Sequence, residues 1–334
     1  PGYEVVRKLG SGAMAAVFLA RQISLDRLVA IKILPSRFSA NTDYIKRFQQ
    51  EGKAAAKLNH PNIVAAVDVG AVGRRHYFVM EYVDGTDVHE LLKKESKLSE
   101  RRALEIIQEI ALALQHAHGK GFLHRDIKPR NIMITKAGVA KLADLGLARH
   151  VDDTETAEAE KNKAFGTPFY ISPEQIRGKM DIAAPADIYG LGATFYHMVT
   201  GKVPFTGANP KEVMKAHLKE ELVPPDHLNS ELSSGCAQII EHMLARRVED
   251  RYHSADDLLI DLELVMQGLP PKFARSGLDA SVLAETAAAA AAATAIPTQV
   301  AKPAVASAPP TWMIAALVGS LFVNLLLFIL YLLK

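Results

Sequence analysis

The amino-acid sequence predicts an α+β chain in which strands come first and helices follow. Three short apolar runs typical of strands lie near the N-terminus, at 17–20, 28–34 and 77–83. From Ser99 onward, apolar residues recur at helical spacing, and Ser99 and Ser254 are predicted to cap the starts of helices. A nearly unbroken apolar run at 312–333 is long enough to predict one membrane-spanning helix.

Composition limits the classes of protein that the chain can belong to. With 334 residues, 49% of them hydrophobic, the chain can bury a sizeable core in one large or two smaller domains. A net charge of +2 does not indicate a long basic groove for nucleic acid. The single cysteine, Cys236, excludes an intrachain disulfide and is typical of a reducing compartment.

A glycine-containing segment lies just before the first of these strands. Gly10 and Gly12 would let backbone amide groups approach phosphate oxygens, because neither residue carries a side chain. The strand 17–20 follows the segment, whereas glycine loops that bind dinucleotides open a helix. An ordinary hairpin turn explains the same residues, so the segment alone does not establish phosphate binding.

A single lysine, Lys32, interrupts the apolar run 28–34. Burying an unpaired ammonium group is costly, so a buried Lys32 needs an anionic partner such as a phosphate or a carboxylate. Glu51, in a predicted helix over 44–58, supplies a carboxylate. The alternatives are an edge-strand lysine that points to water and a solvated glutamate on the helix surface.

The octet His-Arg-Asp-Ile-Lys-Pro-Arg-Asn at 124–131 concentrates groups of different chemistry. It holds the carboxylate of Asp126, the ammonium group of Lys128 and the carboxamide of Asn131. Pro129 disfavours a continuous helix through the octet, so we expect the three side chains to share a loop. The short apolar run that follows is typical of a buried strand.

A second carboxylate, Asp144, follows the predicted strand 141–143. A carboxylate offers the oxygen ligands that hard ions such as Mg2+ prefer. His116 and His118 lie two residues apart in a predicted helix and therefore face different sides of it. We predict no metal site at these histidines.

Together, these motifs resemble those of protein kinases. The sequence also carries Asp-Leu-Gly at 144–146, where the family usually has Asp-Phe-Gly, and Ser-Pro-Glu at 172–174, where it usually has Ala-Pro-Glu. The Lys-Pro pair of the octet and Gly-Thr-Pro at 166–168 resemble the Ser/Thr class rather than the tyrosine class. The resemblance covers about residues 3–266.

The resemblance implies a bilobal protein kinase fold of the α+β class. We expect a kinase domain at 1–267, with a small, mostly β N-lobe at about 1–83 and a larger, mostly α C-lobe at about 84–267. An Ala/Pro-rich linker at 268–311 and a transmembrane helix at 312–333 follow.

The resemblance also implies roles for individual residues. Asp126 and Lys128 are the predicted catalytic residues, which accept the proton of a substrate hydroxyl and neutralise the moving phosphoryl group, respectively. Asn131 and Asp144 are the predicted Mg2+ ligands. The predicted ATP-binding residues are Gly10, Gly12, Val17, Ala30, Lys32, Glu51, Glu81, Val83 and Asp87.

The ATP-binding set divides between the phosphates and the nucleoside. Lys32 is expected to bind the α- and β-phosphates while Glu51 holds it in place. The backbones of Glu81 and Val83 are expected to hydrogen-bond the adenine, and Asp87 to accept a hydrogen bond from the ribose.

Five further residues have predicted roles outside the chemistry. Asp187 is expected to brace the catalytic loop, and Glu174 is expected to pair with Arg251. Thr154 and Thr156 are candidate phosphorylation sites, although their acidic neighbours oppose added negative charge.

The leading prediction is an ATP- and Mg2+-dependent protein serine/threonine kinase, similar to bacterial membrane-anchored kinases. The single cysteine and the need for ATP indicate that the globular part is cytoplasmic. Predicted partners are Ser/Thr-containing protein substrates and the membrane, with no nucleic acid. A homodimer for autophosphorylation is left open. The alternatives are a pseudokinase scaffold that binds nucleotide or partners and a small-molecule or lipid kinase.

Overall fold

The protein has two lobes, a β-sheet lobe followed by a mostly helical lobe, as the sequence predicts. The computed structural model describes residues 2–11, 15–34, 45, 48, 52, 55–73, 75–144, 149–150 and 167–274.

Five of the strands form one antiparallel sheet in the order β1-β2-β3-β5-β4. A three-stranded sheet, β6-β8-β9, and the pair β10-β7 lie further along the chain. The strands are β1 (Tyr3–Ser11), β2 (Ala16–Gln22), β3 (Arg27–Ile33), β4 (Ala66–Val72), β5 (Arg75–Glu81), β6 (Gly85–Asp87), β7 (Phe122–Leu123), β8 (Ile132–Thr135), β9 (Ala140–Leu142) and β10 (Arg149–His150).

Helices make up most of the second lobe. Residues 45, 48, 52 and 55–57 are also helical, within the helix predicted at 44–58. Short 3-10 helices occupy Pro129–Asn131 and Val248–Asp250. The α-helices are α1 (Val88–Glu95), α2 (Glu100–Gly119), α3 (Pro173–Ile176), α4 (Ala184–Thr200), α5 (Pro210–Lys219), α6 (Pro225–Leu228), α7 (Ser234–Met243) and α8 (Ala255–Met266).

Serine side chains cap the two helices for which the sequence predicts such caps. Ser99 accepts a hydrogen bond from the Arg102 N–H at the start of α2. Ser254 accepts one from the Asp257 N–H at the start of α8. Each bond satisfies an N–H group of the first turn that has no partner within the helix. Both predicted helix starts are confirmed.

The segment between the lobes differs from its prediction. The sequence predicts a lobe boundary at about 83–84 and no strand there, whereas Gly85–Asp87 forms β6 and pairs with β8. A Cβ atom on Gly85 would lie 1.8 Å from the carbonyl oxygen of Ile134. Only glycine permits the two backbones to approach this closely, so the pairing of β6 with β8 requires a glycine at position 85.

The two faces of the large sheet have different surroundings. Val29, Ile31 and Val79 belong to a small apolar cluster on one face. Lys32 and Phe78 are paired positions on the opposite face, because side chains alternate along a strand. Phe78 is part of the main core, which continues into the helical lobe. Lys32 therefore lies on the face that looks toward that lobe.

A buried ion pair ties α3 to the end of the helical lobe. Arg251 donates two hydrogen bonds to the carboxylate of Glu174, at 2.8 and 2.9 Å. The side chains are 0% and 5% exposed, respectively. Arg251 also donates to the carbonyl oxygens of Ala245 and Pro185, so its charge is well satisfied. The predicted pair is confirmed.

A second buried carboxylate holds the chain after α8. Asp261 accepts a hydrogen bond from the Tyr252 hydroxyl at 2.8 Å. It also accepts from the backbone N–H groups of 272–274, at 2.6–3.1 Å. The sequence predicts a linker at 268–311. Its first residues are instead packed against α8, because the Asp261 carboxylate binds the N–H groups of 272–274.

The predicted transmembrane helix at 312–333 lies outside the described residues. Within the described ranges, no helix combines the length and apolar character that crossing a membrane requires.

Replacing Glu174 with glutamine is expected to destabilise the protein by about 3–5 kcal/mol, because the buried guanidinium of Arg251 loses its counter-charge. Urea unfolding would measure the change in the free energy of unfolding. The matched control is Glu231→Gln, which removes an exposed pair with Lys97 and should cost less than about 1 kcal/mol. Equal losses for the two variants would contradict the prediction.

Candidate active site

Four polar side chains that the sequence singles out come together between the two lobes. Lys32 Nζ donates to Asp144 Oδ1 at 2.8 Å. Asn131 Nδ2 donates to the main-chain oxygen of Asp126, also at 2.8 Å. The backbone joins the two pairs, because the carbonyl oxygen of Asn131 accepts from the N–H of Ala143, next to Asp144.

The pair of Lys32 and Asp144 connects the sheet lobe to the helical lobe. The Lys32 side chain is 14% exposed and that of Asp144 is 46% exposed. Partial burial of the Asp144 carboxyl opposes ionisation, but the positive charge and hydrogen bond of Lys32, then the charges of His124 and Lys128, lower its pKa to about 2. Asp144 is therefore an anion at physiological pH.

Three other predicted ATP-binding residues, Gly10, Val17 and Ala30, lie near Lys32 in the register of the sheet. Gly10 pairs with Val17, and Val17 pairs with Lys32 across three adjacent strands. Ala30, two residues before Lys32, pairs with Met80 on β5. Because paired positions share a face of the sheet, Val17, Ala30 and Lys32 lie on one face. A Cβ atom at Gly10 would meet no atom within 4 Å, so the backbone there is open to approach.

Both oxygens of the Asp126 carboxylate accept hydrogen bonds. Lys128 Nζ donates to Oδ2 at 2.5 Å, and the Thr167 hydroxyl donates to Oδ1 at 3.1 Å. Lys128 Nζ also donates to the Thr167 hydroxyl oxygen, at 2.9 Å. The three side chains form a closed triangle. The sequence analysis used Thr167 only to assign a kinase class. Its Gly-Thr-Pro motif could also have indicated that Thr167 belongs to this site.

The carboxamide of Asn131 is oriented by the 3-10 turn Pro129–Asn131. Its Nδ2 group faces Asp126, and within the described residues its Oδ1 atom accepts no hydrogen bond. One oxygen of Asp144, Oδ2, is likewise without a partner there. Two oxygen ligands and substrate phosphates are a common environment for Mg2+, so Asn131 and Asp144 fit this ion. No group of three or more His, Cys, Asp or Glu side chains in the described ranges could hold a metal.

The buried carboxylate of Asp187 supports the catalytic loop. It accepts hydrogen bonds from the backbone N–H groups of His124 and Arg125, at 2.9 and 2.6 Å, and from His118 Nε2 at 2.8 Å. Burial opposes ionisation, but the hydrogen bond and charge of His118, followed by His124 and Arg125, lower the pKa of Asp187. The predicted bracing contact is confirmed. Sequence reasoning considered His118 only as a metal ligand and missed this contact.

The described residues predicted to bind the nucleoside lie where β5 leads into α1. Glu81 pairs with Lys141 at 2.9 Å, and its backbone N–H donates to the carbonyl oxygen of Ala65. Val83 is buried. Asp87 caps α1 through Oδ1, which leaves Oδ2 without a hydrogen bond from the described residues. The contacts of these residues with adenine and ribose stay predictions.

Several predicted residues lie outside the described ranges. Gly12 and Glu51 are the two members of the ATP-binding set in this position. The candidate phosphorylation sites Thr154 and Thr156 also lie there.

Comparison with known proteins identifies the family. A sequence model of the protein kinase domain matches residues 3–260. The chain belongs to the protein kinase family. Serine/threonine-protein kinase PknB of Mycobacterium tuberculosis strain H37Rv is 38% identical over 274 residues, or 81% of this chain and 44% of the relative. A probable serine/threonine-protein kinase of Clostridium perfringens is 37% identical over 263 residues, or 79% of this chain and 38% of the relative.

The chain spans less than half the length of these curated relatives. A probable serine/threonine-protein kinase of Corynebacterium efficiens gives the same picture, with 37% identity over 83% of this chain and 43% of the relative. The resemblance to bacterial serine/threonine kinases that the motifs indicate is therefore confirmed.

Replacing Asp187 with asparagine is expected to lower the free energy of unfolding at neutral pH. In acid, the difference between the variant and the wild type should disappear. The folded-state pKa of Asp187 is below its ordinary value, so its contribution is present above about pH 4 and disappears as the pH falls through the folded-state pKa. Urea unfolding of both proteins from about pH 7 to about pH 3 would measure the difference.

The control is Asp256→Asn, which removes a carboxylate from the exposed contact with Gln115. This variant should track the wild type across the pH range. A stability loss for Asp187→Asn that stays constant or grows in acid would contradict the assignment of a lowered pKa.

Proposed function

We propose that the chain is an ATP-dependent protein serine/threonine kinase, which transfers the γ-phosphoryl group of ATP to Ser/Thr hydroxyls of proteins. The observation that carries the proposal is the closed triangle of Asp126, Lys128 and Thr167 next to Asn131. The names of the bacterial relatives support the same activity and the same class of acceptor.

ATP and Mg2+ are the proposed cofactors. When bound, Mg2+ neutralises negative charge on the phosphates, and Asn131 and Asp144 would hold it through their side-chain oxygens. Lys32 would contact the α- and β-phosphates beside Asp144. The remaining proposed contacts with ATP are those of Gly10, Gly12, Val17, Ala30, Glu51, Glu81, Val83 and Asp87.

Asp126 would orient the substrate hydroxyl and accept its proton at a carboxylate oxygen. Thr167 already donates to Oδ1 of this carboxylate, so the site is built to receive a hydroxyl donor there. Lys128 would keep its ammonium group close to the transferred phosphoryl group and neutralise charge on it. Such catalysis depends on positioning and on fixed charges, so each member of the site should matter greatly.

A pseudokinase scaffold is the less favoured alternative. The carboxylates, ammonium groups and carboxamide that the chemistry requires are all in the sequence. No contact among the described residues points to a role that depends on partner binding alone.

Replacing Asp126 with asparagine is expected to lower phosphate transfer about 100-fold to 10,000-fold, because an amide cannot accept the proton. Transfer of labelled phosphate to a generic Ser/Thr protein would measure the rate, and binding of a fluorescent nucleotide would show that ATP affinity survives. Asp84→Asn is the control, since Asp84 pairs with Lys136 at the surface. An Asp126→Asn protein as active as the wild type would refute the proposed mechanism. A wild type that binds ATP and Mg2+ but transfers nothing would refute the activity.

We further propose that 312–333 anchors the kinase to a membrane in a single span, with 275–311 as the linker and the kinase domain in the cytoplasm. The 22 residues of this run, apolar apart from Ser320 and Asn324, would reach roughly 33 Å as a helix, about the thickness of a bilayer core. Trp312 and Tyr331 suit the two interfaces. Tethering would raise the effective concentration of substrates near the membrane.

Autophosphorylation between two copies of the chain is a further part of the proposal. Thr154 and Thr156 are the candidate acceptors, and mass spectrometry after incubation with ATP and Mg2+ would identify the modified residue.

Deleting 312–334 is expected to move the protein from the membrane to the soluble fraction while activity on a soluble substrate is retained. Ultracentrifugation of cell extracts and a phosphate-transfer assay would measure the two properties. Deleting 280–302 is the control, because it removes the same number of residues and leaves the apolar run intact. Continued sedimentation of the shortened protein with membranes would count against the anchor. Loss of its activity would show that the tail does more than anchor.

A further inference from the structure

Arg130 belongs to the catalytic loop but takes no part in the network around Asp126. Its neighbours in the 3-10 turn, Pro129 and Asn131, are buried, whereas Arg130 is exposed. Helix α1 packs against this turn. The guanidinium group of Arg130 therefore lies at the protein surface, on the side of the loop that faces α1.

Among the described residues, the guanidinium group of Arg130 hydrogen-bonds only to a neutral imidazole. Arg130 Nη2 donates to His89 Nε2 on α1 at 2.8 Å, which requires a ring nitrogen without a proton. Burial, followed by the positive charges of Arg130 and Lys93, lowers the pKa of His89. The pair of Arg130 and His89 thus carries a net positive charge at physiological pH.

No carboxylate forms an ion pair with Arg130 among the residues that the structure describes. The acidic groups nearby have other partners. Glu90 accepts a hydrogen bond from Lys93 at 2.8 Å, and Asp87 caps α1. Asp126 is held in the closed triangle with Lys128 and Thr167. The positive charge of Arg130 is therefore available to a ligand from outside the chain.

Arg130 also lies near the segment that borders the substrate side of Asp126. Burial raises the pKa of the Tyr170 hydroxyl, and the charge of Arg130 opposes this rise, so the two groups lie within electrostatic range of each other. Tyr170 follows Thr167, which contacts Asp126. The backbones of Asp126 and Arg130 are at most about 14 Å apart, a span that an extended peptide covers in about four residues.

We propose that Arg130, oriented by His89, is a specificity-determining residue that binds an acidic side chain of the protein substrate, within about four residues of the phosphorylated hydroxyl. The inference rests on the proposed kinase function. A planar guanidinium group binds a carboxylate through two parallel hydrogen bonds, and His89 positions it without neutralising it. A phosphate group on a substrate that is already phosphorylated presents the same chemistry.

Synthetic peptides with one acceptor serine or threonine would test the proposal. Asp, Asn, Lys or phosphoserine would be placed in turn at each of about four positions on either side of the acceptor. The full chain is expected to prefer Asp over Asn at one position by about fivefold in kcat/KM, as for a partly exposed ion pair. A stronger preference for phosphoserine would identify phosphorylated substrates as the source of the acidic group.

Charge reversal separates recognition from a structural role. Arg130→Glu is expected to change the preferred residue at that position from Asp to Lys, and Arg130→Gln is expected to remove the preference. The control is Arg101→Glu, since Arg101 is an arginine on α2 whose side chain is 90% exposed. It should keep the preference of the wild type. A wild type without an acidic preference, or an Arg130→Glu protein that retains one, would overturn the inference.

Fluorescence anisotropy with the same peptides gives the preference without phosphate transfer. A wild type that transfers no phosphate but binds the Asp peptide in an Arg130-dependent manner would refute the proposed activity and support this inference. Phosphate transfer together with equal binding of the Asp and Asn peptides would support the activity and refute the inference.

Discussion

The buried carboxylate of Asp187 fixes the backbone on which the active site is built. It binds the N–H groups of His124 and Arg125 at the point where Arg125 adopts a left-handed conformation, with φ of 67°. A residue other than glycine holds such a conformation at a cost of about 1–3 kcal/mol, so the surrounding contacts must determine it. Because the loop turns here, Asp126 and Asn131 face the cleft.

Among the described residues of the cleft, opposite charges are paired. Lys32 contacts Asp144, and Lys128 contacts Asp126. In each pair, the attraction between the charges offsets part of their desolvation cost. Under the proposed function, Lys32 and Asp144 would exchange each other for phosphate and Mg2+, respectively. Arg130 differs from these groups, since its partner is uncharged. The distribution of charge therefore distinguishes the catalytic cleft, where charges are balanced, from its rim, where a positive charge remains.

Local patterns in the sequence, together with the family resemblance of its motifs, were sufficient to predict most of this architecture. The functional groups of the octet 124–131 lie close together in the sequence. Capping residues and apolar spacing indicate the helices and strands around it. Contacts between distant segments could be predicted only where the family resemblance implied them, because local patterns in one sequence do not show which surfaces meet. The bonds of Thr167 to Asp126 and of His118 to Asp187 join residues 41 and 69 positions apart. The pairing of β6 with β8 was missed for the same reason.

The contacts of Asp261 have a mechanical consequence. Its carboxylate joins the N–H groups of 272–274 to α8, and the Tyr252 hydroxyl shares the same group. A pulling force applied to the chain beyond residue 274 would load these bonds in parallel. The force would then act on α8 through the side chain of Asp261, in the middle of the helix, and not through the last residue of the helix.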